Sequence, residues 1–186
     1  TFNQVSVDGD TSTNDTIFAF ASGRAGGKVV DGGARGEAFE AALADALMQL
    51  ALQIVGDGEG ATHVVTIEVS GARTDADAEA AARRVGASPL VKTALFGADP
   101  NWGRILCAVG NAGIRFDPDR VDLSIGDVAM VRGGVAVPGA DVGAHAVMKQ
   151  REYAIRVELH AGRGRGRHVT CDLGHEYVRI NAEYRT

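Results

Sequence analysis

The chain has 186 residues, of which 45% are apolar, only 5% are aromatic and 25 are glycine. That suits one region with a core of Ala, Val, Leu and Ile and many turns. Nineteen Lys and Arg against 24 Asp and Glu leave a net charge of −5, and no basic face points to nucleic acid. No apolar run approaches the ~20 residues that span a bilayer, no signal-peptide pattern opens the chain, and Cys107 and Cys171 form no metal-type pair; the expectation is a cytoplasmic protein with free thiols and no membrane partner.

In chain order, residues 4–7 read as a short strand and 17–21 (IFAFA) as a buried one, with a polar, turn-rich loop over 8–15 between them. A Gly-rich connection over 23–36 leads to the clearest helix, 37–55. Its Phe39, Ala42, Leu43, Ala46, Leu47, Leu50, Ala51 and Ile54 recur as one helical face requires. Residues 63–70 alternate through Val65, Ile67 and Val69 as a strand does. Thr74 then caps an Ala-rich helix over 75–86, with Asp77 as capping partner. Asp99 and Pro100 are placed to open a helix over 99–110. Residues 120–137 suggest a hairpin of short strands, 152–160 alternate through Tyr153, Ile155, Val157 and Leu159, and a further strand is expected near 167–172 after the tip Gly162–Arg167. Residues 174–186 are polar and expected to lie across the surface. Interleaved strands and helices give an α/β (α+β) class and a layered helix–sheet sandwich. The chain is treated as one region, 1–186, divisible into sub-structures of about 1–112 and 113–186.

Few motifs carry chemistry by themselves. The histidines (His63, His145, His160, His168 and His175) are never spaced as metal ligands, so no metal is expected. Asp8-Gly-Asp10 after a short strand admits two readings: a loop of side-chain turns, or a Mg²⁺-dependent phosphoryl-transfer pair with Asp8 and Asp10 in the nucleophile and acid roles. Ser22–Lys28 lacks the first glycine of a phosphate loop, and Val29 stands where Ser or Thr would bind the metal.

Four stretches together carry a resemblance: Phe2–Thr16 (FNQVSVDGDTSTNDT), Ser88–Gly97 (SPLVKTALFG), Asp99–Arg104 (DPNWGR) and Tyr177–Thr186 (YVRINAEYRT). In order and spacing they resemble the β subunit of the ornithine acetyltransferase (glutamate N-acetyltransferase) family of arginine biosynthesis. The resemblance implies a precursor that cleaves itself before a threonine, whose freed amine then serves as base for its own hydroxyl. That threonine carries an acetyl group from N-acetylornithine to glutamate. It implies no cofactor, with acetyl-coenzyme A a donor in some members. It also implies an α subunit from the same precursor and an α2β2 or larger assembly. Residue by residue, it marks Glu59, Asn181 and Thr186 as substrate-binding. No catalytic residue is assigned within the chain: Thr1 matches the ordinary residue preceding the Phe-Asn segment, so the nucleophile is expected upstream and the fragment alone is expected to be inactive. Two other functions stay in view, phosphoryl transfer at Asp8 and Asp10, and a non-catalytic subunit.

Overall fold

The computed structural model describes every residue except 12, 28, 29 and 184–186. The strands are β1 (Val5–Ser6), β2 (Val64–Ala72), β3 (Asp122–Ile125), β4 (Val128–Arg132), β5 (Val135–Ala136), β6 (Glu152–Glu158) and β7 (Gly164–Cys171). The helices are α1 (Gly33–Gly56), α2 (Asp75–Gly86), α3 (Pro89–Phe96), α4 (Trp102–Gly110), α5 (Ala140–Met148) and α6 (His175–Glu183). All seven strands join one mixed sheet in the order β1-β7-β2-β6-β3-β4-β5.

Period-two alternation decides what each sheet face does. Val65, Ile67 and Val69 of β2 lie in register with Tyr153, Ile155 and Val157 of the parallel β6. Leu123 and Ile125 of the antiparallel β3 extend the same rows. These side chains form one buried cluster with Ala78, Ala81, Ala82 and Val85 of α2, Val91 and Leu95 of α3, and Ile105 and Val109 of α4. The opposite face is polar over much of its area: Glu68 stands beside Arg156 and Arg167, and Arg156 Nε donates to its carboxylate at 3.0 Å. At one end of that face Val55 of α1 packs on Val169 and Cys171 of β7, with Val5, Val7 and Leu52 around them. Helices therefore lie on both sides of the sheet, as the layered α/β expectation requires.

Two expectations are corrected in the first third of the chain. Residues 17–21 form no strand; Ile17, Phe18 and Phe20 are exposed, the two Phe rings stacked on each other at 6.0 Å. Their pattern signals a wish for burial, but among the described residues no strand edge is offered to them. α1 begins at Gly33, earlier than 37, and buries only Gly36, Ala51 and Val55. Phe39, Leu43, Leu50 and Ile54 of its expected core face are exposed. At ~1.5 Å per residue α1 is ~36 Å long, and by length and composition alone it passes as a bilayer-crossing helix. The expectation that no apolar run approaches that length is thus corrected by length and composition; Glu40 and Asp45 lie within the run.

The Gly/Arg segment is not a hairpin tip. Its larger part is β7, where Gly164 and Gly166 face α2 so closely that a Cβ on either would overlap the α2 backbone at Thr74 and Glu79. Alternate positions throw Arg165 and Arg167 outward. α3 was missed, although Ser88 Oγ caps it through Val91 N–H and Pro89 opens it; α5 was also missed. α4 is capped by Asn101, whose Oδ1 accepts from Arg104 N–H at 3.2 Å, and not by Asp99. Asp99 instead accepts at Oδ2 from Asn101 Nδ2 at 3.1 Å, while its N–H closes the end of α3 on Ala94 O at 2.9 Å.

Candidate functional site

α1 ends in a turn that presents Glu59. Gly58 N–H bonds back to Val55 O at 3.2 Å, and Ala61 N–H bonds to Gly58 O at 2.9 Å. Gly60 sits at φ +68, and a Cβ there would lie 2.8 Å from both Glu176 Cβ and Tyr177 N. Only glycine combines that conformation with so near a neighbour. The turn and the first residues of α6 are thereby held against each other.

On α6, Tyr177 and Asn181 are four residues apart and share a face. Asn181 Nδ2 donates to Glu59 Oε2 at 2.5 Å and to the Tyr177 carbonyl at 3.0 Å. Tyr177 Oη–H donates to Asp8 Oδ2 at 3.0 Å, and Asp8 Oδ1 accepts from Asp10 N–H at 2.9 Å. Loss of hydration pushes the Tyr177 phenol up to about 12, helped by its bond to Asp8 and by the Asp8, Glu59 and Asp10 carboxylates. It therefore stays a protonated donor. Glu59 and Asn181 are exposed, so the arrangement is an open polar surface on which three distant segments meet. Thr186 lies outside the described residues.

This geometry answers the Asp8-Gly-Asp10 question. Both oxygens of Asp8 are engaged, one in its own turn and one by Tyr177. A carboxylate so occupied is poorly placed as a phosphoryl nucleophile. Among the described residues no group of three or more metal-type side chains gathers.

Behind the turn lies a buried polar layer that sequence reasoning missed. Asp172 Oδ1 accepts from Thr62 N–H at 2.8 Å and His63 N–H at 2.7 Å, and Oδ2 accepts from Thr62 Oγ1 at 2.6 Å. Burial works to raise this carboxyl, yet the hydrogen bonds from Thr62 and His63 win and hold it below its ordinary value. Lys92, 1% exposed, donates from Nζ to Thr170 Oγ1 at 2.8 Å and to the Cys171 carbonyl. Burial lowers its pKa, opposed by the nearby Cys171 and Asp172, and burial raises that of Cys171. These bonds anchor segment 62–63 and the end of β7, the two strands of chain that flank the Glu59 turn and lead into α6. The available signal was Lys92 lying at helical spacing from Leu95 in an otherwise apolar turn.

A family model described as the ArgJ family matches residues 1–186. The arginine biosynthesis bifunctional protein ArgJ of Desulfotalea psychrophila is 50% identical over 188 residues, covering 100% of this chain and 48% of that protein. The glutamate N-acetyltransferase of Methanocaldococcus jannaschii is 47% identical over 196 residues, again covering 100% of this chain and 48% of its own length. The crystal structure of the arginine biosynthesis bifunctional protein ArgJ from Bacillus halodurans matches with a TM-score of 0.93 at 41% identity, covering 99% of this chain and 87% of that one. The chain spans about half the length of the curated relatives it matches.

Proposed function

The chain belongs to the ArgJ family, and from that premise we propose that it supplies part of the substrate pocket of an enzyme transferring an acetyl group from N-acetylornithine to glutamate in arginine biosynthesis. The transfer runs through an acetyl-threonine ester. A threonine hydroxyl attacks the acetamide carbonyl, ornithine leaves, and the glutamate amine then attacks the ester. No cofactor is needed, because the ester itself carries the group; acetyl-coenzyme A is a second donor to be tested by supplying it in place of N-acetylornithine. The Asp8–Glu59–Tyr177–Asn181 surface offers recognition groups and no activated nucleophile. Its hydroxyl, on Tyr177, is a held donor. In this reading the reactive threonine is the β-subunit residue freed by self-cleavage, the donors that stabilise the oxyanion come from the α subunit, and the two form a cytoplasmic α/β assembly of α2β2 or larger.

The observation that carries this reading is the Glu59–Asn181 hydrogen bond, which joins residues 122 positions apart on one surface. A carboxylate accepts from the substrate's ammonium, and a carboxamide can both donate and accept. Thr186 is the third proposed contact. Support for a partner comes from α1, whose exposed Phe39, Leu43, Leu50 and Ile54 form an apolar face of the kind that marks an interaction surface. In the full-length enzyme, Glu59→Ala or Asn181→Ala should raise KM for N-acetylornithine about tenfold or more, as loss of a charge-assisted bond implies. Unchanged steady-state kinetics in both variants would remove the surface from the substrate pocket and favour a scaffolding role.

A further inference from the structure

α6 carries Asn181 but buries none of its residues. It is attached to the body at few points. The His175 ring meets Phe96 edge-on at 5.5 Å, Gly60 packs under Glu176 and Tyr177, and two side-chain bonds reach out, Asn181 to Glu59 and Tyr177 to Asp8. The outward bonds Arg179 makes to Glu176 and Glu183 lie within α6 and hold it to nothing else. A helix without a buried face is placed by its polar tethers, since little apolar area fixes it.

We infer that Tyr177 and Asp8 are positioning residues for the substrate contacts: their hydrogen bond sets where α6 stands, and so where the Asn181 carboxamide lies over Glu59. This rests on the reading of Glu59 and Asn181 as substrate contacts. Three features carry it. Asp8 is itself fixed, because Oδ1 is held by Asp10 N–H while Oδ2 is left to receive the phenol. Tyr177 and Asn181 share a helical face, so a shift at one is a shift at the other. Asn181 Nδ2 also donates to the Tyr177 carbonyl, which ties the carboxamide's orientation to the backbone of the residue that Asp8 holds. The phenol, kept protonated by its surroundings, donates throughout the neutral range. The Asp8 loop thus acts on the substrate through Asn181 without touching it, and small misplacements of such a contact are expensive in rate.

The test uses the full-length enzyme with Tyr177→Phe, Asp8→Ala, Asp8→Asn, Asn181→Ala and the Tyr177→Phe/Asn181→Ala pair. It reads KM and kcat for N-acetylornithine, and hydrogen exchange of the α6 amides. Tyr177→Phe and Asp8→Ala should each raise KM about fivefold to tenfold with kcat within about threefold, the pattern of a lost binding contact. Asp8→Asn keeps an acceptor oxygen and should recover part of the loss. Adding Tyr177→Phe to Asn181→Ala should change KM no further, because both act through one contact. Exchange along α6 should speed in Tyr177→Phe. Full additivity in the double variant overturns the inference, and so does unchanged exchange along α6. If Glu59→Ala leaves KM unaltered while Tyr177→Phe still loosens α6, the substrate reading fails and the placement of α6 by Tyr177 stands.

Discussion

Asp172 and Glu59 are both carboxylates held by hydrogen bonds on neighbouring segments, yet Asp172 is buried at 2% exposure and Glu59 lies in water. The same chemistry does different work on the two sides of the turn. Around Asp172 and Lys92, every bond replaces hydration that cannot return, so removing a partner destabilises the fold. Around Glu59, Asn181, Tyr177 and Asp8, water stands ready to substitute, so removing a partner loosens α6 and alters recognition with little loss of global stability. Stability and function are therefore separable by substitution, although the groups are close along the chain.

The comparison can be tested at its strongest point by Lys92→Ala. That change leaves Thr170 Oγ1 and the Cys171 carbonyl without their donor and opens a void, and should lower stability by about 3–5 kcal/mol in urea unfolding. Lys92→Met, which restores the volume, should cost less; a loss under ~1 kcal/mol for alanine would break the distinction between the two regions. Next in size is acid lability. His168 is buried against Gly86 with its pKa pushed to about 4, first by burial and then by the Arg83 and Lys92 charges. The unfolded chain takes that proton near 6.5 and the native one only near 4. Stability from this group is therefore complete above about pH 6.5 and falls as pH drops toward 4, by up to about 3 kcal/mol. His168→Gln should flatten that slope between pH 4 and 6.5, as urea midpoints across the range would show. The smallest effect on stability belongs to the exposed side. Gly60→Ala forces a Cβ toward Tyr177 N at positive φ, and should cost about 1–2 kcal/mol while raising KM for N-acetylornithine by displacing α6. An equal loss of global stability from Gly60→Ala and Lys92→Ala would show α6 to be part of the cooperative core.

Much of the body was legible because its signals are local. β2 alternates and is a strand, and Thr74 caps α2 by accepting from Asp77 N–H at 3.1 Å. The meander over 122–136 follows its turns. What failed was of two kinds. α3, α5 and α6 have eight or nine residues each, too few for periodicity alone to separate a helix from a loop; α4, also of nine, was legible from the Asp99-Pro100 signal before it. The apolar residues at 17–21 and along α1 announce a need for burial, but a sequence pattern does not state whether the covering surface lies in the same chain. The meeting of Glu59 and Asn181 was not readable from spacing; the family resemblance named them separately, and the fold brings them within a hydrogen bond. Lys92 and Asp172 were passed over because a polar residue in an apolar stretch looks ordinary until its partners, 78 to 110 positions away, are known.

The Tyr177–Asp8 bond spans 169 positions of the sequence, and β1 pairs with β7, more than 150 positions on. Contacts of such separation carry the greatest loop-closure cost and form after local structure is in place. During synthesis Asp8 and Glu59 emerge more than a hundred residues ahead of the helix that completes their surface. A translation product stopped between Gly86 and His175 would hold α1 and α2 yet present no such surface, so the recognition surface doubles as a marker that synthesis has reached α6.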